Sequence, residues 1–210
     1  MGATLDPRST LSDLHHQATG EVLGLVEGLY SNIEDGLFEL ADRATEQQRR
    51  ERCFNLMREL RYRRGFLVKQ FTKTMYSLRD YWFTNEVWEP DTSDLGEPFN
   101  EHLNRVNSKS IAHFTGLLRL VSERAHHASP HLACDLSVLP IGPRAISNSF
   151  VQSCRLLRMD AESIELVLSL FSRFVLERLG HVYARSNDRL RDAGFCTLDE
   201  LELAESANTA

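Results

Sequence analysis

One group of residues in this sequence has the side chains of a metal site. Its members are imidazole, thiol and carboxylate groups that fall within ten residues: His126, His127, His131, Cys134 and Asp135. Zinc takes ligands of these types, but their spacing here matches no zinc motif. Pro130 also interrupts the helical register that would align His127 with His131. We therefore predict no metal and interpret the histidines as loop and helix-end residues, which leaves a metal-dependent enzyme as the weakest alternative.

A second group is rich in arginine and could bind anions. Seven guanidinium groups occur within sixteen residues, at Arg49, Arg50, Arg52, Arg58, Arg61, Arg63 and Arg64. A guanidinium pairs in bidentate fashion with carboxylate or phosphate, which makes Arg58, Arg61 and Arg63 candidates for binding a nucleotide, a cyclic dinucleotide or RNA. At 100° per residue, however, the seven side chains scatter around a helix. That distribution favours a solvated helix face whose arginines pair with local acids.

Two arginines have a different predicted environment. Arg64 and Arg178 each fall on the apolar side of a predicted helix. Because a buried guanidinium needs a carboxylate partner, we predict that both side chains are buried and paired with acids of neighbouring helices.

The third feature is a ladder of small residues, Gly20, Gly24 and Gly28, spaced by four on the first predicted helix. A glycine inside a helix costs about 1 kcal/mol relative to alanine, so three on one ridge indicate that another backbone comes close. An intramolecular helix crossing is the favoured interpretation, and a homodimer seam is the alternative. The acids of this helix exclude the membrane form of the motif: Glu21, Glu27, Glu34 and Asp35.

Enzyme signatures are absent from the sequence. There is no P-loop, no GxGxxG after a strand, no GxSxG and no HExxH. We therefore predict a non-catalytic protein without a cofactor. The 24 Lys and Arg against 30 Asp and Glu give a formal charge of -6, which disfavours a surface that covers duplex nucleic acid.

Compartment signals favour the cytoplasm. The four cysteines stand apart without a CxxC pair, which is typical of reduced thiols. The first twenty residues have neither the positive start nor the apolar stretch of a signal peptide. No run reaches the ~18 apolar residues that a membrane span needs. We expect a cytoplasmic protein with no membrane span.

Helices must position all these groups, because apolar residues recur every three or four positions through most of the chain. The pattern predicts five long helices, at about residues 9–43, 45–82, 99–126, 143–159 and 161–193, and a short terminal helix. Predicted helix ends carry capping boxes, single caps or stop residues: Thr45 with Gln48, Thr197 with Glu200, Asp160, Pro143 and Gly194.

The predicted architecture is all-α, a single helical bundle over residues 9–204. A disordered N-terminus is expected at 1–8 and a frayed tail at 205–210. The first two helices should form a long antiparallel pair. The fifth helix carries apolar residues around most of its circumference, so it should lie at the centre.

Four segments of the chain carry a resemblance to a known family: FELADRA (38–44), MRELR (57–61), PIGPRAI (140–146) and LFSRFVLERLGHVYARSN (170–187). They resemble, in the same order, the N-terminal helical region of a bacterial family described as a domain of unknown function. Its long members are sometimes labelled thymidine phosphorylase, which implies a phosphate loop, and some carry a region similar to cyclic-dinucleotide-binding domains. Neither feature has a counterpart in this sequence. The resemblance implies a helical regulatory module and supplies no catalytic residues.

The sequence therefore predicts a non-catalytic module for regulatory protein-protein interaction in a bacterial cytoplasm, with a homodimer as its assembled form. The partner protein is not specified. The alternative is an anion-binding module for nucleotide, cyclic dinucleotide or RNA that uses the arginines of the second helix.

Overall fold

A computed structural model of the chain describes residues 6–208, apart from the side chains of 205, 207 and 208. The described residues form eight α-helices and no strand, so the all-α prediction is confirmed. The helices are α1 (Pro7–Arg43), α2 (Gln47–Ser77), α3 (Glu97–His113), α4 (Thr115–Ala128), α5 (Pro143–Leu156), α6 (Ala161–Phe174), α7 (Gly180–Asp192) and α8 (Leu198–Asn208). Short 3-10 segments lie at Leu78–Phe83, Ser93–Leu95 and Leu176–Arg178.

Two of the five predicted long helices are interrupted, which explains the larger number. The third predicted helix breaks at Phe114, whose φ of -107° and ψ of 17° separate α3 from α4. The fifth breaks at Val175, with φ -116° and ψ -64°, and resumes as α7 after the 3-10 segment Leu176–Arg178. The two breaks face each other, because the Phe114 ring lies 3.3 Å from where a Cβ on Gly180 would be and packs edge-on against Tyr183.

Most predicted helix ends are found where the sequence places them. The Asp160 side chain accepts a hydrogen bond from the Ser163 N–H at 2.8 Å, and Pro143 is the first residue of α5. Thr197 and Glu200 form the predicted reciprocal capping box. The box predicted at Thr45 is wrong, because α2 begins at Gln47 after Glu46, which makes no side-chain cap bond.

The predicted chain ends differ in part from the structure. Residues 1–5 of the predicted disordered segment lie outside the described residues, whereas Pro7 and Arg8 already form the first turn of α1, capped by Asp6. At the other end α8 continues through Asn208, and positions 209–210 of the predicted frayed tail lie outside the described residues.

Helices α1 and α2 form the predicted long antiparallel hairpin. Its register is fixed by contacts along its whole length, from His15 with Met75, through Glu34 with Arg61, to Phe38 with Phe54. Residues that lie level with each other across the hairpin therefore have numbers that add to about 92. Helix α6 packs against α1, α2, α3 and α5. Its Phe171 ring stacks on Phe150 and meets Phe71 edge-on, which places α6 at the centre of the core.

Candidate interaction surface

The glycine ladder faces solvent. Gly20 and Gly24 are exposed and Gly28 is half-buried, and a Cβ added to any of the three would meet no described atom within 4 Å. The favoured interpretation of the ladder, an intramolecular helix crossing, is therefore wrong. No neighbouring helix of the described chain accounts for glycine at these positions, and the homodimer seam stays a prediction.

A different glycine of α1 lies at the close helix crossing. Gly36 is buried, and a Cβ placed on it would lie 2.9 Å from the Cδ2 atom of Leu170 on α6. The four-residue spacing of the ladder reaches Gly36 beyond Asn32, and the apolar pattern places Gly36 next to Leu37 and Ile33 on the buried side. The position of Gly36 between the apolar residues Ile33 and Leu37 is therefore the sequence signal for this crossing.

The solvent-facing side of α1 is acidic. Residues 9–42 contain seven Asp and Glu and no Lys or Arg. Some of these acids are paired at the edges of the helix, such as Glu21 with Arg185 and Glu39 with Arg173. Glu27 and Asp35 are exposed and form no ion pair with a described residue within 4 Å. The glycine ladder therefore lies on a face that carries uncompensated negative charge.

The adjacent side of α2 is basic. Residues 60–79 contain six Lys and Arg and no Asp or Glu. Arg64, Lys69 and Lys73 are exposed and form no ion pair with a described residue. Every residue from Arg61 to Phe66 is exposed. Within that stretch, the Tyr62 side chain is 86% exposed and that of Phe66 is 41% exposed.

We call this surface the α1–α2 outer face. It comprises Gly20, Gly24, Glu27, Gly28, Ser31 and Asp35 on α1, and Arg58, Tyr62, Gly65, Phe66, Lys69 and Lys73 on α2. The half on α1 is acidic, and its three glycines have no side chains that would project from the surface. The other half is basic and carries two aromatic rings. Aromatic side chains and arginine are enriched in binding interfaces, whereas lysine is depleted.

The three arginines proposed as anion ligands do not converge on one point. Arg61 makes a bidentate pair with Glu34, at 2.9 and 2.5 Å. Arg63 lies 3.6 Å from Glu59, and Arg58 donates to the Asn55 side chain at 2.5 Å. The hydrogen bond from Arg61, with the positive charges of Arg61 and Arg64, holds the pKa of the Glu34 carboxyl below its usual value.

Both predicted buried arginines are exposed, so these predictions are wrong. Arg64 lies between the buried residues Leu60 and Leu67, yet its long side chain extends to solvent, which costs less than burying an ion pair. Arg178 falls in the 3-10 segment, where the 100° projection of an α-helix no longer applies. Its guanidinium lies over the Phe174 ring, 5.5 Å from the centroid.

The buried arginine is Arg124 on α4, which is 4% exposed. It donates to the Asn187 side chain at 2.9 Å, to the Phe195 carbonyl at 2.5 Å and to the Glu200 carboxylate at 2.7 Å. These bonds join α4 to α7 and to the first turn of α8. The hydrogen bond from Arg124 holds the pKa of Glu200 below its usual value. Arg124 lies three residues after the buried Val121 on the apolar side of α4, which is the signal that sequence reasoning missed.

Three of the five residues that have metal-ligand side chains, His126, His127 and Asp135, form hydrogen bonds within the chain. His126 Nδ1 lies 2.6 Å from the Leu132 carbonyl oxygen, and His127 Nδ1 accepts the Cys196 N–H at 2.8 Å. The Asp135 side chain accepts the Ser137 N–H, which closes a turn. Among the residues that the structure describes, no three His, Cys, Asp or Glu side chains are grouped so that they could hold a metal ion.

A fully enclosed polar contact joins the open end of the hairpin. His15 on α1 lies 2.7 Å from the Met75 carbonyl oxygen through Nε2 and accepts the Trp82 indole N–H through Nδ1 at 3.1 Å. Burial lowers the pKa of His15 to about 4, although the bond to Met75 acts in the opposite direction. The imidazole is therefore neutral at physiological pH and has a structural role.

A groove of about 630 Å³ opens beside the two helix breaks. Its lining includes Lys109, His113, Phe114 and Glu177. Lys109 and Glu177 form an ion pair at 3.4 Å and neutralise each other. The groove therefore has less uncompensated charge than the α1–α2 outer face.

The fold and this surface define an all-helical domain whose α1–α2 hairpin is acidic on the exposed side of α1 and basic on that of α2. The model of the family described as "Protein of unknown function (DUF1631) N-terminal domain" matches residues 6–80 and 102–194. The chain belongs to this family, which confirms the resemblance to a domain of unknown function. Neither the curated proteins nor the solved structures contain a match. No helix in the described part of the chain is long and apolar enough to cross a bilayer.

Proposed function

We propose that the chain is a non-catalytic regulatory module of a bacterial cytoplasm that binds other proteins, and that it assembles as a homodimer. One observation carries the proposal. Three glycines follow one another on an exposed ridge of α1, and no described atom lies within 4 Å of the position a Cβ would take on any of them. Within the chain such a ridge has only a cost, about 1 kcal/mol for each glycine in the helix. A second molecule that packs closely against α1 would offset this cost.

The test is the oligomeric state of the purified chain and of the variant Gly24→Leu, measured by light scattering across a concentration series. The wild type is expected to be a dimer, and the variant a monomer or a dimer weakened by about tenfold or more. Because the added side chain enters open space in the monomer, the fold should be unaffected. Circular dichroism and the melting temperature check this expectation.

The matched control is Gly116→Leu on α4, where an added Cβ also meets no described atom within 4 Å. This variant should keep the dimer, because Gly116 is not part of the glycine ladder of α1. A wild type that is monomeric at every concentration would contradict the homodimer. Equal behaviour of the two leucine variants would contradict the seam on α1.

The second candidate is an anion-binding module, favoured by the absence of acids from residues 60–79 of α2. Binding of a nucleotide, a cyclic dinucleotide or RNA should then weaken steeply with added salt. It should be lost when Arg58, Arg61 and Arg63 are all changed to Glu. A chain that binds none of these ligands in low salt would exclude this function. The paired state of Arg61 and Arg63 makes this candidate the weaker of the two.

A further inference from the structure

The α1–α2 outer face carries opposite charges on its two halves, and this arrangement bears on how a second copy could pack. The acidic half contains Glu27 and Asp35, and the basic half contains Lys69 and Lys73, all exposed and without ion pairs to described residues. The two halves run side by side in a fixed antiparallel register, since His15 contacts Met75 at one end and Phe38 contacts Phe54 at the other.

The face is large enough for a stable dimer. At 1.5 Å per residue, the two helices overlap over roughly 45 Å, and two adjacent helices present a width of about 20 Å. The resulting area of about 900 Å² compares with about 800 Å² per partner in a standard protein interface.

Two identical hairpins can stack face to face in two ways related by a two-fold axis. If the axis is perpendicular to the helices, α1 lies on α1 and α2 on α2, so that like charges meet. If the axis is parallel to the helices, each α1 lies on the α2 of the other copy, antiparallel to it, and opposite charges meet. Electrostatic complementarity selects the second arrangement.

We infer that a second copy of this chain binds to the α1–α2 outer face with its two-fold axis parallel to the hairpin, so that the acidic α1 of each copy packs against the basic α2 of the other. This inference rests on the homodimer of the proposed function and adds its geometry. The interface is then isologous, and the two stacked hairpins form a four-helix bundle.

The register of the hairpin specifies which residues meet. Residues level with each other in one copy have numbers that add to about 92, and an axis parallel to the helices preserves their height. Asp35 of one copy then lies level with Arg58 of the other. Gly24 and Gly28 lie level with Lys69 and Gly65, where the missing side chains leave room for the neighbouring rings of Tyr62 and Phe66.

Charge reversal on each helix tests this geometry by sedimentation or light scattering of the full chain. The first variant, Glu27→Lys with Asp35→Lys, makes both halves basic. The second variant, Lys69→Glu with Lys73→Glu, makes both halves acidic. Each is expected to weaken self-association by about tenfold or more at low salt, and a mixture of the two should form heterodimers.

The decisive variant carries these four changes together with Arg58→Glu, because Arg58 lies level with position 35 of the other copy. The α1 half of its outer face is basic and the α2 half is acidic. In the inferred arrangement opposite charges meet again, and self-association should return to within about threefold of the wild type. In the perpendicular arrangement like charges meet in the wild type and in every variant, so charge reversal should leave self-association unchanged. Glu101→Lys and Arg105→Glu, exposed residues of α3 without ion pairs to described residues, are the controls and should leave the dimer unchanged.

The outcomes separate this inference from the proposed function. A wild type that is monomeric at every concentration overturns both. A wild-type dimer that is insensitive to charge reversal overturns only the geometry, and so does a variant with all five changes that does not self-associate. The inference is also overturned if Lys69→Glu with Lys73→Glu leaves the oligomeric state unchanged but abolishes salt-sensitive binding of a single-stranded RNA oligonucleotide, because the basic half then belongs to nucleic acid.

Discussion

Two charged regions of this molecule use arginine in opposite ways. In the cluster around Arg124, a guanidinium that is 4% exposed has three different partners, and it joins α4, α7 and α8. On α2, Arg64 is exposed and, like Lys69 and Lys73, forms no ion pair with a described residue. A buried guanidinium whose three nitrogens each donate to a partner within the chain is held in place by the fold, whereas an exposed unpaired charge costs little and remains available. Burial and partners, rather than residue type, therefore separate the structural arginines from the candidates for recognition.

The largest expected effect comes from removing the buried guanidinium. Arg124→Ala should lower the free energy of unfolding by about 3 kcal/mol, because the Phe195 carbonyl and the Glu200 carboxylate lose their donor and a cavity is left. Arg64→Ala, at an exposed position of α2, should change the free energy of unfolding by less than about 0.5 kcal/mol. Urea denaturation of both variants measures the difference. Equal losses would mean that burial does not distinguish the two regions.

A second effect concerns the neutral histidine at the open end of the hairpin. The pKa of His15 is about 4 in the folded chain because of burial, against 6.5 when unfolded. The unfolded state therefore binds the proton first, and stability is complete above about pH 6.5 and falls as the pH drops towards 4. The total loss is about 3 kcal/mol. In His15→Gln, which does not titrate, this part of the pH dependence should be absent.

Measuring the free energy of unfolding of both chains at pH 7.5, 6, 5 and 4 isolates the contribution of His15 from that of the carboxylates. The difference in free energy of unfolding between wild type and His15→Gln should become smaller as the pH falls. A difference that stays constant with pH would show that the imidazole accepts a proton as readily in the folded chain as in the unfolded one. His15 would then behave like a residue of the exposed surface and not like the buried Arg124.

A third effect compares two glycines of α1, one on each side of the helix. Gly24→Ala enters open space and should raise the free energy of unfolding by up to about 1 kcal/mol, since alanine is the better helix former. Gly36→Ala would place its Cβ 2.9 Å from Leu170, so displacement of that side chain should offset the gain. Overpacking of this kind typically costs about 1–3 kcal/mol. In thermal denaturation at low protein concentration, Gly24→Ala should have the higher melting temperature of the two variants. A higher melting temperature for Gly36→Ala would contradict this prediction.

Local signals in the sequence predict much of this fold correctly. The cap at Asp160 and the box of Thr197 with Glu200 depend on residues three positions apart, so they can be identified without tertiary information. The apolar period likewise predicts the α1–α2 hairpin. The breaks at Phe114 and Val175 have no such signal, because the packing of Phe114 against Gly180 and Tyr183 involves residues far apart in the chain.

The candidate site is harder to predict, since helical periodicity gives the direction of a side chain but not its depth. Arg64 points to the apolar side of α2 and is nevertheless exposed, because a long side chain can extend along the surface to water. Arg124 points the same way on α4 and is buried. What separates them is whether another element covers the position, as α7 and α8 do for Arg124, and a single sequence does not contain this information.

The smallest expected effect tests a paired arginine of α2. Arg61→Ala removes an exposed pair with Glu34 and should leave the free energy of unfolding nearly unchanged. It should raise the pKa of Glu34 towards its ordinary value, because the hydrogen bond from Arg61 is the main cause of the low value. A titration of the Glu34 carboxyl by NMR measures this directly, with Arg63→Ala as the control that should leave Glu34 unchanged. If the pKa of Glu34 does not move, Arg61 is free in solution, and the basic half of the outer face has one more cation available for an anionic ligand.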